Sequence, residues 1–381
     1  KILDDLHSFF TIAIPADIRD RGRNEELIWP DDIVTTMRIL NKAGLAVPNW
    51  PVEWGGKDWS PLQRQLWADE MRLASVPEPL AFNASMVGPV IAQFGSQEIK
   101  ERFLPATANL DIWWCQGFSE PEAGSDLASL RTVAVRDGDD YVINGQKTWT
   151  TLGQFADWIF VLARTSPDAP KKQAGISFIL VEMSTPGITL RPIKLIDGSY
   201  EVNEVFFEDV RVPANQLVGE ENQGWSYAKF LLSNERTGIA RIGTTKVWLS
   251  DVKERAAKTT VGNGTLLADP LFASRVAEIE NELLALELTQ LRVSGDEGTG
   301  KPNPASSILK LRGSQLQQAV TELLVEVAGP DALPFEAGDG IDSPQWAQQA
   351  APRYLNFRKT SIYGGSNEVQ RTIISSTILG L

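Results

Sequence analysis

Hydrophobic positions change their period twice along the chain and divide it into three zones. From residue 1 to about 110 apolar residues recur at helical spacing, as Ile33, Met37 and Leu40 do. From about 111 to 220 they form short extended runs cut by Gly, Pro and Asp, and after Trp225 the helical period returns. The pattern predicts an N-terminal helical domain over 1–112, a β domain over 113–222 and a helical bundle over 223–381.

Individual elements can be placed within these zones. Strands are predicted at 132–135 and 141–143, on either side of the turn signal Asp137-Gly138-Asp139, and at 158–163, 176–181 and 205–207. A short helix is predicted over 95–104, ending at Pro105. Two apolar stripes that step by three and four residues predict bundle core: Phe272, Val276, Ile279, Leu283 and Leu286, and Leu316, Val320, Leu323 and Val327.

Composition excludes several classes of function. The net charge of −13 argues against a nucleic-acid-binding protein, and no apolar run reaches the roughly 20 residues of a membrane helix. Cys115 is the sole cysteine, which favours a reducing, cytoplasmic location. His7 is the sole histidine, so a histidine-rich zinc site is excluded, and so is a Ser-His-Asp triad without His7. We expect no metal site, and no signal peptide within residues 1–381.

Two segments of the middle zone carry the candidate chemistry. The first, QGFSEPEAGSD at 116–126, is a strand leading into a turn rich in hydroxyls and backbone amides. The second, NGQKTWTT at 144–151, ends a strand in an aromatic residue followed by hydroxyls. Together they offer a stacking surface and hydrogen-bond donors to a flavin-like ligand. Without further information the residues alone favour an ordinary β-hairpin over such a ligand site.

These segments resemble the S/T-E-P-x-A-G-S-D and N-G-x-K-x-W-I-T signatures of the FAD-dependent acyl-CoA dehydrogenases. The resemblance continues through NQGW at 222–225 and IYGGSNEVQR at 362–371, in the family's order. It implies an α+β fold with an N-terminal α-helical domain, a central β-barrel-like domain and a C-terminal four-helix bundle. The implied reaction, in lipid metabolism and β-oxidation, converts an acyl-CoA thioester to a trans-2-enoyl-CoA, with an electron-transfer flavoprotein as electron acceptor.

The resemblance also implies roles for individual residues. Trp149 falls where an indole lies against the flavin, and Thr151 falls where a hydroxyl approaches flavin N5, the hydride acceptor. Ser125 falls near the pantetheine and pyrophosphate of coenzyme A. The full set of implied cofactor positions is Gln116, Phe118, Ser119, Trp149, Thr151, Ser366 and Glu368.

The catalytic base departs from the commonest pattern of the family. Many members carry a glutamate directly after the tyrosine of the C-terminal motif, but here Tyr363 is followed by Gly364. The Gly364 N–H can still donate to the thioester oxygen. In the branch that resembles isovaleryl-CoA and long-chain dehydrogenases, the first bundle helix supplies the base, and Glu235 matches that position. A solvated helix carboxylate is the alternative for Glu235. Arg236 matches a family arginine close to the substrate.

The positions at which the family holds the ADP half of FAD also differ here from the family pattern. The usual Arg-x-x-Phe-Gly segment is not visible before Phe272, and the usual Gln-x-x-Gly-Gly-x-Gly segment reads EVAGPDA at 326–332. Glu368 stands where glutamine is frequent, and a carboxylate repels a pyrophosphate. In lacking these residues the chain resembles the subunits of α2β2 dehydrogenases, which act on dicarboxylyl-CoA, such as pimeloyl-CoA, or on steroid side-chain CoA thioesters. The chain is therefore either the base-bearing subunit of a hetero-oligomer or a homo-oligomer.

Two other functions stay open at this point. Flavin monooxygenases and oxidases share the fold, use O2, and need not retain a glutamate at position 235. A non-catalytic subunit that only completes another chain's flavin site is the other alternative. The sequence does not name the acyl group, because one methylene changes discrimination by only about 1–3 kcal/mol.

Overall fold

The computed structural model describes residues 2–24, 30–295, 303–333 and 343–381. These residues form two compact units. The first comprises Lys1–Ser60, Ser75–Leu195 and Ser199–Asn234, and the second comprises Pro61–Ala74, Ile196–Gly198 and Glu235–Leu381. The predicted order of helices, β-sheet and helices is confirmed. The second unit also takes in one helix from the N-terminal zone, because apolar contacts rather than chain order decide which elements pack together.

Six α-helices precede the sheet within the described ranges 2–24 and 30–113. They are α1 (Ile2–Ala13), α2 (Ala16–Asn24), α3 (Pro30–Lys42), α4 (Pro61–Leu73), α5 (Gly88–Phe94) and α6 (Gln97–Ala108). The Ser96 hydroxyl caps α6 by accepting a 3.2 Å bond from the Ile99 amide. The prediction that this helix ends at Pro105 was wrong. It continues to Ala108, because a proline near the C-terminus removes only one helical hydrogen bond.

The seven principal strands form one sheet. They are β1 (Trp114–Gly117), β2 (Val133–Asp137), β3 (Asp140–Thr151), β4 (Trp158–Arg164), β5 (Ile176–Glu182), β6 (Ile188–Ile193) and β7 (Val202–Pro213). The strand order is β1-β4-β2-β3-β7-β6, with β5 paired to β4. Both β1 and β2 run parallel to β4, and β4 and β5 are buried at nearly every position. Four of the five extended runs predicted from the sequence lie within these strands, and the fifth, at 132–135, begins one residue before β2.

The remaining helices follow the sheet. They are α7 (Gly224–Ile239), α8 (Ile242–Ala256), α9 (Pro270–Gly295), α10 (Ser306–Ala328), α11 (Gln345–Gln348), α12 (Ala350–Asn356) and α13 (Asn367–Ile374), with a short hairpin of β8 (Thr260–Val261) and β9 (Gly264–Thr265). Both predicted apolar stripes, on α9 and on α10, are buried in one core with α8. Across the described ranges, no helix combines the length and the hydropathy needed to cross a membrane.

Candidate active site

A buried ion pair holds the turn after β1 against β3. Lys147 Nζ lies 2.8 Å from Glu120 Oε1 and donates at 3.1 Å to the carbonyl oxygen of Phe118. The side chains of Lys147 and Glu120 are 0% and 7% exposed. One residue further along β3, the Thr148 amide donates to the Ser119 carbonyl oxygen at 2.9 Å. These bonds bring the two segments singled out in the sequence into direct contact.

Both members of this pair have shifted pKa values. Burial raises the pKa of Glu120, but the Lys147 charge and hydrogen bonds from Lys147, Thr132 and Arg131 outweigh burial, so the pKa lies below the usual 4.5. The Arg131 and Thr132 amides donate to the two carboxylate oxygens at 2.6 and 2.9 Å. Burial lowers the pKa of Lys147 to about 8, against the opposing effect of Glu120. The pair is therefore ionised at neutral pH.

Trp149 sits at an irregularity of β3. The pairing of β3 with β7 shifts register between Lys147 and Thr150, and Trp149 has a left-handed backbone with φ of +60°. Leu152, three residues on, has φ of +54°. A left-handed conformation is strained for a bulky residue, and such strain is concentrated at functional sites. Here it turns the Trp149 indole out of the sheet, where its side chain is 58% exposed.

The two threonines between these strained residues have different surroundings. Thr150 is fully buried, and its carbonyl oxygen accepts a 3.0 Å bond from Nδ2 of the equally buried Asn203. Among the described residues, Thr150 Oγ1 has no hydrogen-bond partner. Thr151 is partly exposed, as are Ser119 and Gln116. The strained segment therefore presents an exposed indole beside accessible hydroxyl and amide groups.

Phe118 and Ser125 differ from the other predicted ligand contacts in their exposure. The Phe118 ring is 5% exposed and packs edge-on against Phe160 and Phe178, with ring centroids 5.7 and 6.2 Å away. Any contact of Phe118 with a ligand would therefore involve its backbone. Ser125 is exposed in the turn between β1 and β2. The structure thus gives Phe118 a core position and leaves the Ser125 hydroxyl accessible.

The C-terminal motif forms a tight turn built on glycine. Gly364 and Gly365 have φ of +64° and +83°, which glycine adopts without strain. The fully buried Gln370 donates through Nε2 to the Gly365 carbonyl oxygen at 3.2 Å and to that of Gly364 at 3.5 Å. A Cβ on Gly365 would lie 2.5 Å from this nitrogen. The missing side chain thus makes room for the amide that fixes the turn.

The turn leads directly into α13. Ser366 caps this helix by accepting a 3.3 Å bond from the Val369 amide. Asn367 Oδ1 accepts from the buried Lys310 Nζ at 3.1 Å and from Ser314 at 3.0 Å, which ties the motif to α10. Glu368 is exposed, and its own backbone amide and the Ser366 hydroxyl lower the pKa of its carboxyl. Glu368 therefore carries its negative charge at neutral pH.

The predicted base lies in the last turns of α7 (Gly224–Ile239). The side chains of Glu235 and Arg236 lie outside the part of the structure that is described. The role of each stays a prediction from the sequence. Arg241, between α7 and α8, has a left-handed backbone with φ of +44° directly before α8 begins.

The start of α9 carries a carboxylate where the family pattern has an arginine. Asp269, three residues before Phe272, caps the helix by accepting bonds from the Leu271 and Phe272 amides, both at 3.0 Å. On the same helix, Arg275 forms an ion pair with Glu326 of α10. These helix N-terminal amides are already bonded to an anion, and a second carboxylate engages the nearby cation. Such an arrangement disfavours a pyrophosphate.

Comparison with known proteins now decides the family. The acyl-CoA dehydrogenase models for the N-terminal, middle and C-terminal domains match residues 1–111, 115–210 and 222–379. The chain belongs to the acyl-CoA dehydrogenase family. This membership confirms the predicted family, fold class and oxidoreductase class.

Close similarity to individual acyl-CoA dehydrogenases covers most of the chain. The chain is 38% identical to acyl-CoA dehydrogenase IpdE1 of Mycobacterium tuberculosis over 347 residues, which span 90% of this chain and 86% of that protein. The ChsE4-ChsE5 complex from Mycobacterium tuberculosis superposes with a TM-score of 0.84 at 32% identity, covering 100% of this chain and 96% of that one. The Tcur3481-Tcur3483 steroid ACAD superposes with a TM-score of 0.86 at 30% identity, covering 100% of this chain and 96% of that one.

Acyl-CoA dehydrogenases are FAD-binding flavoproteins, so the residues can be tested for fit to this cofactor. The exposed Trp149 indole and the partly exposed Ser119 and Thr151 suit a planar ring with polar edges. Asp269 and Glu326 do not suit the pyrophosphate. The chain's own residues thus fit the isoalloxazine half of FAD better than the ADP half.

Several residues with a structural part in this region received no role from the sequence. They are Glu120, Lys147, Asn203 and Gln370. Three of them, Glu120, Lys147 and Gln370, stand inside the recognised motifs. A buried lysine or glutamate needs a partner of opposite charge, which Lys147 and Glu120 give each other. Asn203 and Gln370 gave no signal in the sequence, because only the fold brings their partners close: backbone carbonyls for both, and also the Gln154 side chain for Asn203.

Proposed function

We propose that the chain catalyses FAD-dependent α,β-dehydrogenation of an acyl-CoA thioester to a trans-2-enoyl-CoA. The observation that carries the proposal is the strained, exposed Trp149, which directly follows the Thr148 amide bonded to Ser119, within segments that resemble the family's flavin signature. Bound FAD would accept at N5 the hydride that leaves the β-carbon, while a carboxylate takes the α-proton. Thr151 and Gln116 would orient the ring from the same strands, and an electron-transfer flavoprotein in the cytoplasm would then receive the electrons.

Glu235 is the proposed base. Gly364 replaces the glutamate that many members carry, so no carboxylate is available from that position. A base at Glu235 needs partial desolvation to raise its pKa toward working pH. The Gly364 N–H would donate to the thioester oxygen as enolate charge develops there. Arg236 would bind the substrate, and Ser125 the coenzyme A moiety.

The base assignment is tested by Glu235→Gln under single-turnover conditions. Anaerobic mixing with an acyl-CoA should bleach the flavin in the unmodified protein and should be slowed about 10²–10⁴-fold in the variant. Glu254→Gln, at an exposed glutamate of α8, is the matched control and should leave bleaching unchanged. Unchanged bleaching in Glu235→Gln would contradict both the assignment of Glu235 as the base and the proposed mechanism. A requirement for O2 would instead indicate an oxidase or monooxygenase.

A second substitution tests whether position 364 can replace position 235. Gly364→Glu in the Glu235→Gln background returns a carboxylate to the position that many family members use. Part of the bleaching rate should return, limited by the cost of about 1–2 kcal/mol for a side chain in the left-handed conformation. Gly364→Gln in the same background introduces a side chain with the shape of glutamate but no carboxylate. It should therefore leave the bleaching rate unchanged. Equal rates in the two variants would contradict the proposed proton transfer.

We also propose that the chain is the base-bearing subunit of an α2β2 dehydrogenase. Support comes from the carboxylates Asp269, Glu326 and Glu368 at positions where the family holds the ADP half of FAD, and from the similarity to the ChsE4-ChsE5 and Tcur3481-Tcur3483 proteins. A second dehydrogenase-like chain would supply the missing cofactor contacts. The substrate would then be sought in a panel of acyl-CoA thioesters that runs from short acyl chains through dicarboxylyl to steroid-linked groups.

Flavin content after expression alone and together with a second dehydrogenase-like chain tests this assembly. The isolated chain should contain far less than one FAD per chain, and the co-expressed complex should bind FAD stably. Asp269→Arg should raise the flavin content of the isolated chain, because it replaces an anion with a cation at the start of α9. Stoichiometric FAD in a homogeneous homo-oligomer of the isolated chain would overturn the hetero-oligomer proposal.

A further inference from the structure

Strand β3 carries one extra residue just before the proposed flavin contacts. Lys147 and Thr150 are three positions apart, but their partners on β7 are only two positions apart. Thr148 and Trp149 therefore face one residue of β7, which is the arrangement of a β-bulge. Because side chains alternate between the two faces of a strand, a one-residue slip of the pairing would turn Trp149 and Thr151 to the opposite face. The register of this bulge thus determines where both side chains lie.

The side-chain amide of Asn203 holds the residue at which the bulge ends. Asn203 is fully buried and pairs directly with Thr150 across the two strands. Its Nδ2 donates to the Thr150 carbonyl oxygen at 3.0 Å, so a side chain reinforces the backbone pairing at this position. Thr150 lies between Trp149 and Thr151 in the chain. A displacement of Thr150 along β7 would therefore move both of the proposed flavin contacts.

The same amide also holds the turn that follows β3. Asn203 Nδ2 donates to Gln154 Oε1 at 2.7 Å, and Gln154 Nε2 donates to the Tyr200 carbonyl oxygen at 3.1 Å. Between these bonds, the amide of the left-handed Leu152 donates to the Glu201 carbonyl oxygen at 2.8 Å. Together they fix the end of β3 against the segment that leads into β7.

The buried amide of Asn203 has an energetic cost as well as a benefit. In the described part of the chain, Asn203 Oδ1 and Thr150 Oγ1 are buried without a hydrogen-bond partner. Gly153 packs closely over both residues, since a Cβ there would lie 3.4 Å from Asn203 Nδ2 and 3.1 Å from Thr150 Cγ2. An apolar side chain of similar volume would avoid the cost of the unpaired oxygen. A local cost of this kind is typical of a functional site rather than of a strand core.

A second irregularity of the same strand pair is also held by an asparagine. Between Ile143 and Gly145 the pairing shifts again, with the extra residue on β7. Asn144 donates through Nδ2 to Asp209 Oδ1 at 3.0 Å and accepts from the Asp209 amide at 2.9 Å. These bonds are exposed and lie five positions before Trp149 in β3. Asn144 therefore offers a matched control, because it holds a bulge that has no proposed flavin contact.

We propose that Asn203 is a positioning residue for the flavin-dependent reaction. Its amide fixes the register of the bulge and thereby the places of the Trp149 indole and the Thr151 hydroxyl. The inference rests on the proposed function, because that function assigns these two side chains to the flavin. Asn203 is fully buried between its partners and acts on the cofactor only through them.

Hydrogen exchange in the flavin-free protein tests the role of the amide without any activity. Asn203→Leu has a similar volume but removes both donated bonds. Amide exchange over residues 148–155, followed by mass spectrometry of peptic peptides, should become about tenfold faster, while exchange over β4 stays unchanged. Asn144→Leu should accelerate exchange only around residues 143–146. Equal protection of 148–155 in Asn203→Leu and in the unmodified protein would overturn the proposal.

Flavin reduction in the FAD-loaded protein, purified alone or in the co-expressed complex, tests the consequence. Anaerobic bleaching by the most active acyl-CoA of the panel should be about 10–10²-fold slower in Asn203→Leu. The acyl-CoA concentration for half-maximal rate should change little, because misplaced flavin contacts affect the transition state more than substrate binding. The visible circular dichroism bands of the oxidised flavin should shift, which a loss of stability alone would not cause. Asn144→Leu should leave the rate and the bands unchanged.

A second variant at an exposed position keeps the test independent of the folding of Asn203→Leu. Gln154→Leu removes one of the two bonds of the Asn203 amide, so it should change exchange and bleaching in the same direction but less. The double variant should resemble Asn203→Leu alone, and additive effects would overturn the shared role of the two residues. Faster exchange with unchanged bleaching and unchanged flavin bands would overturn the positioning role. Absence of bleaching in the unmodified protein would instead contradict the proposed function, and the exchange rates and flavin bands would still decide the role of Asn203.

Discussion

Lys147 Nζ and Glu120 Oε1 lie 2.8 Å apart, and neither side chain is more than 7% exposed. This pair joins the turn after β1 to β3, two residues before Trp149. Two buried charges cost desolvation energy, which is offset here by the Phe118 carbonyl and by the Arg131 and Thr132 amides. We therefore expect the position of the proposed flavin contacts to depend on this buried pair.

Removal of one member of the pair should destabilise the unit that contains the sheet. Lys147→Met leaves the Glu120 carboxylate buried without its cation, and we expect a loss of about 3–5 kcal/mol in the free energy of unfolding. Urea denaturation followed by tryptophan fluorescence measures it. Lys172→Met, which breaks an exposed pair with Asp126, is the control and should change stability by less than about 1 kcal/mol. Equal effects of both changes would show that burial of the Lys147 pair has no energetic consequence.

The same pair predicts a dependence of stability on acid pH. The pKa of Glu120 is lower in the folded state than the usual 4.5, so above that value its ionised form stabilises the fold. As the pH falls below 4.5 and through the lowered folded pKa, the unfolded chain binds the proton first and this stabilisation is lost. Unfolding midpoints in urea at a series of pH values from 6 to 3 should therefore fall less steeply for Glu120→Gln than for the unmodified protein. An identical dependence of the unfolding midpoint on pH in both proteins would contradict the lowered pKa of Glu120.

Gln370 should act on turnover through the Gly364-Gly365 turn, under the proposed function. Gln370→Met keeps the volume but removes the donor to both glycine carbonyls. We expect kcat to fall about 10-fold or more with little change in KM, because a misplaced Gly364 N–H affects the enolate more than the bound substrate. Thr372→Val on the exposed side of α13 is the control. A fall in thermal stability with unchanged kcat would assign Gln370 a structural role only.

Cys115 should be unreactive in the folded protein. It is fully buried in β1, and burial raises the pKa of its thiol well above the usual range. A disulfide reagent should label it only at the rate of unfolding, whereas Val135→Cys, at an exposed position of β2 in the same unit, should add one thiol that reacts at once. Rapid labelling of Cys115 would contradict its burial in β1.

The sequence alone determined the kinds of element, their order and the family. Apolar residues repeat with the period of the element that buries them, so the stripes on α9 and α10 and the strand runs around Gly138 could be identified locally. The motifs that carry the resemblance could be recognised for the same reason, since each is a short continuous segment. The end of α6 was placed too early, because the cost of Pro105 depends on its position within the helix.

Only the tertiary structure decided which residues meet. The partners Lys147 and Glu120 are 27 positions apart, and Asn203 and Thr150 are 53 apart, so no local pattern connects them. The left-handed Trp149 likewise follows from the pairing of β3 with β7, whose irregularity cannot be read from either strand alone. Local periodicity is encoded in adjacent residues, whereas register, strain and buried charge pairs arise from contacts between distant ones.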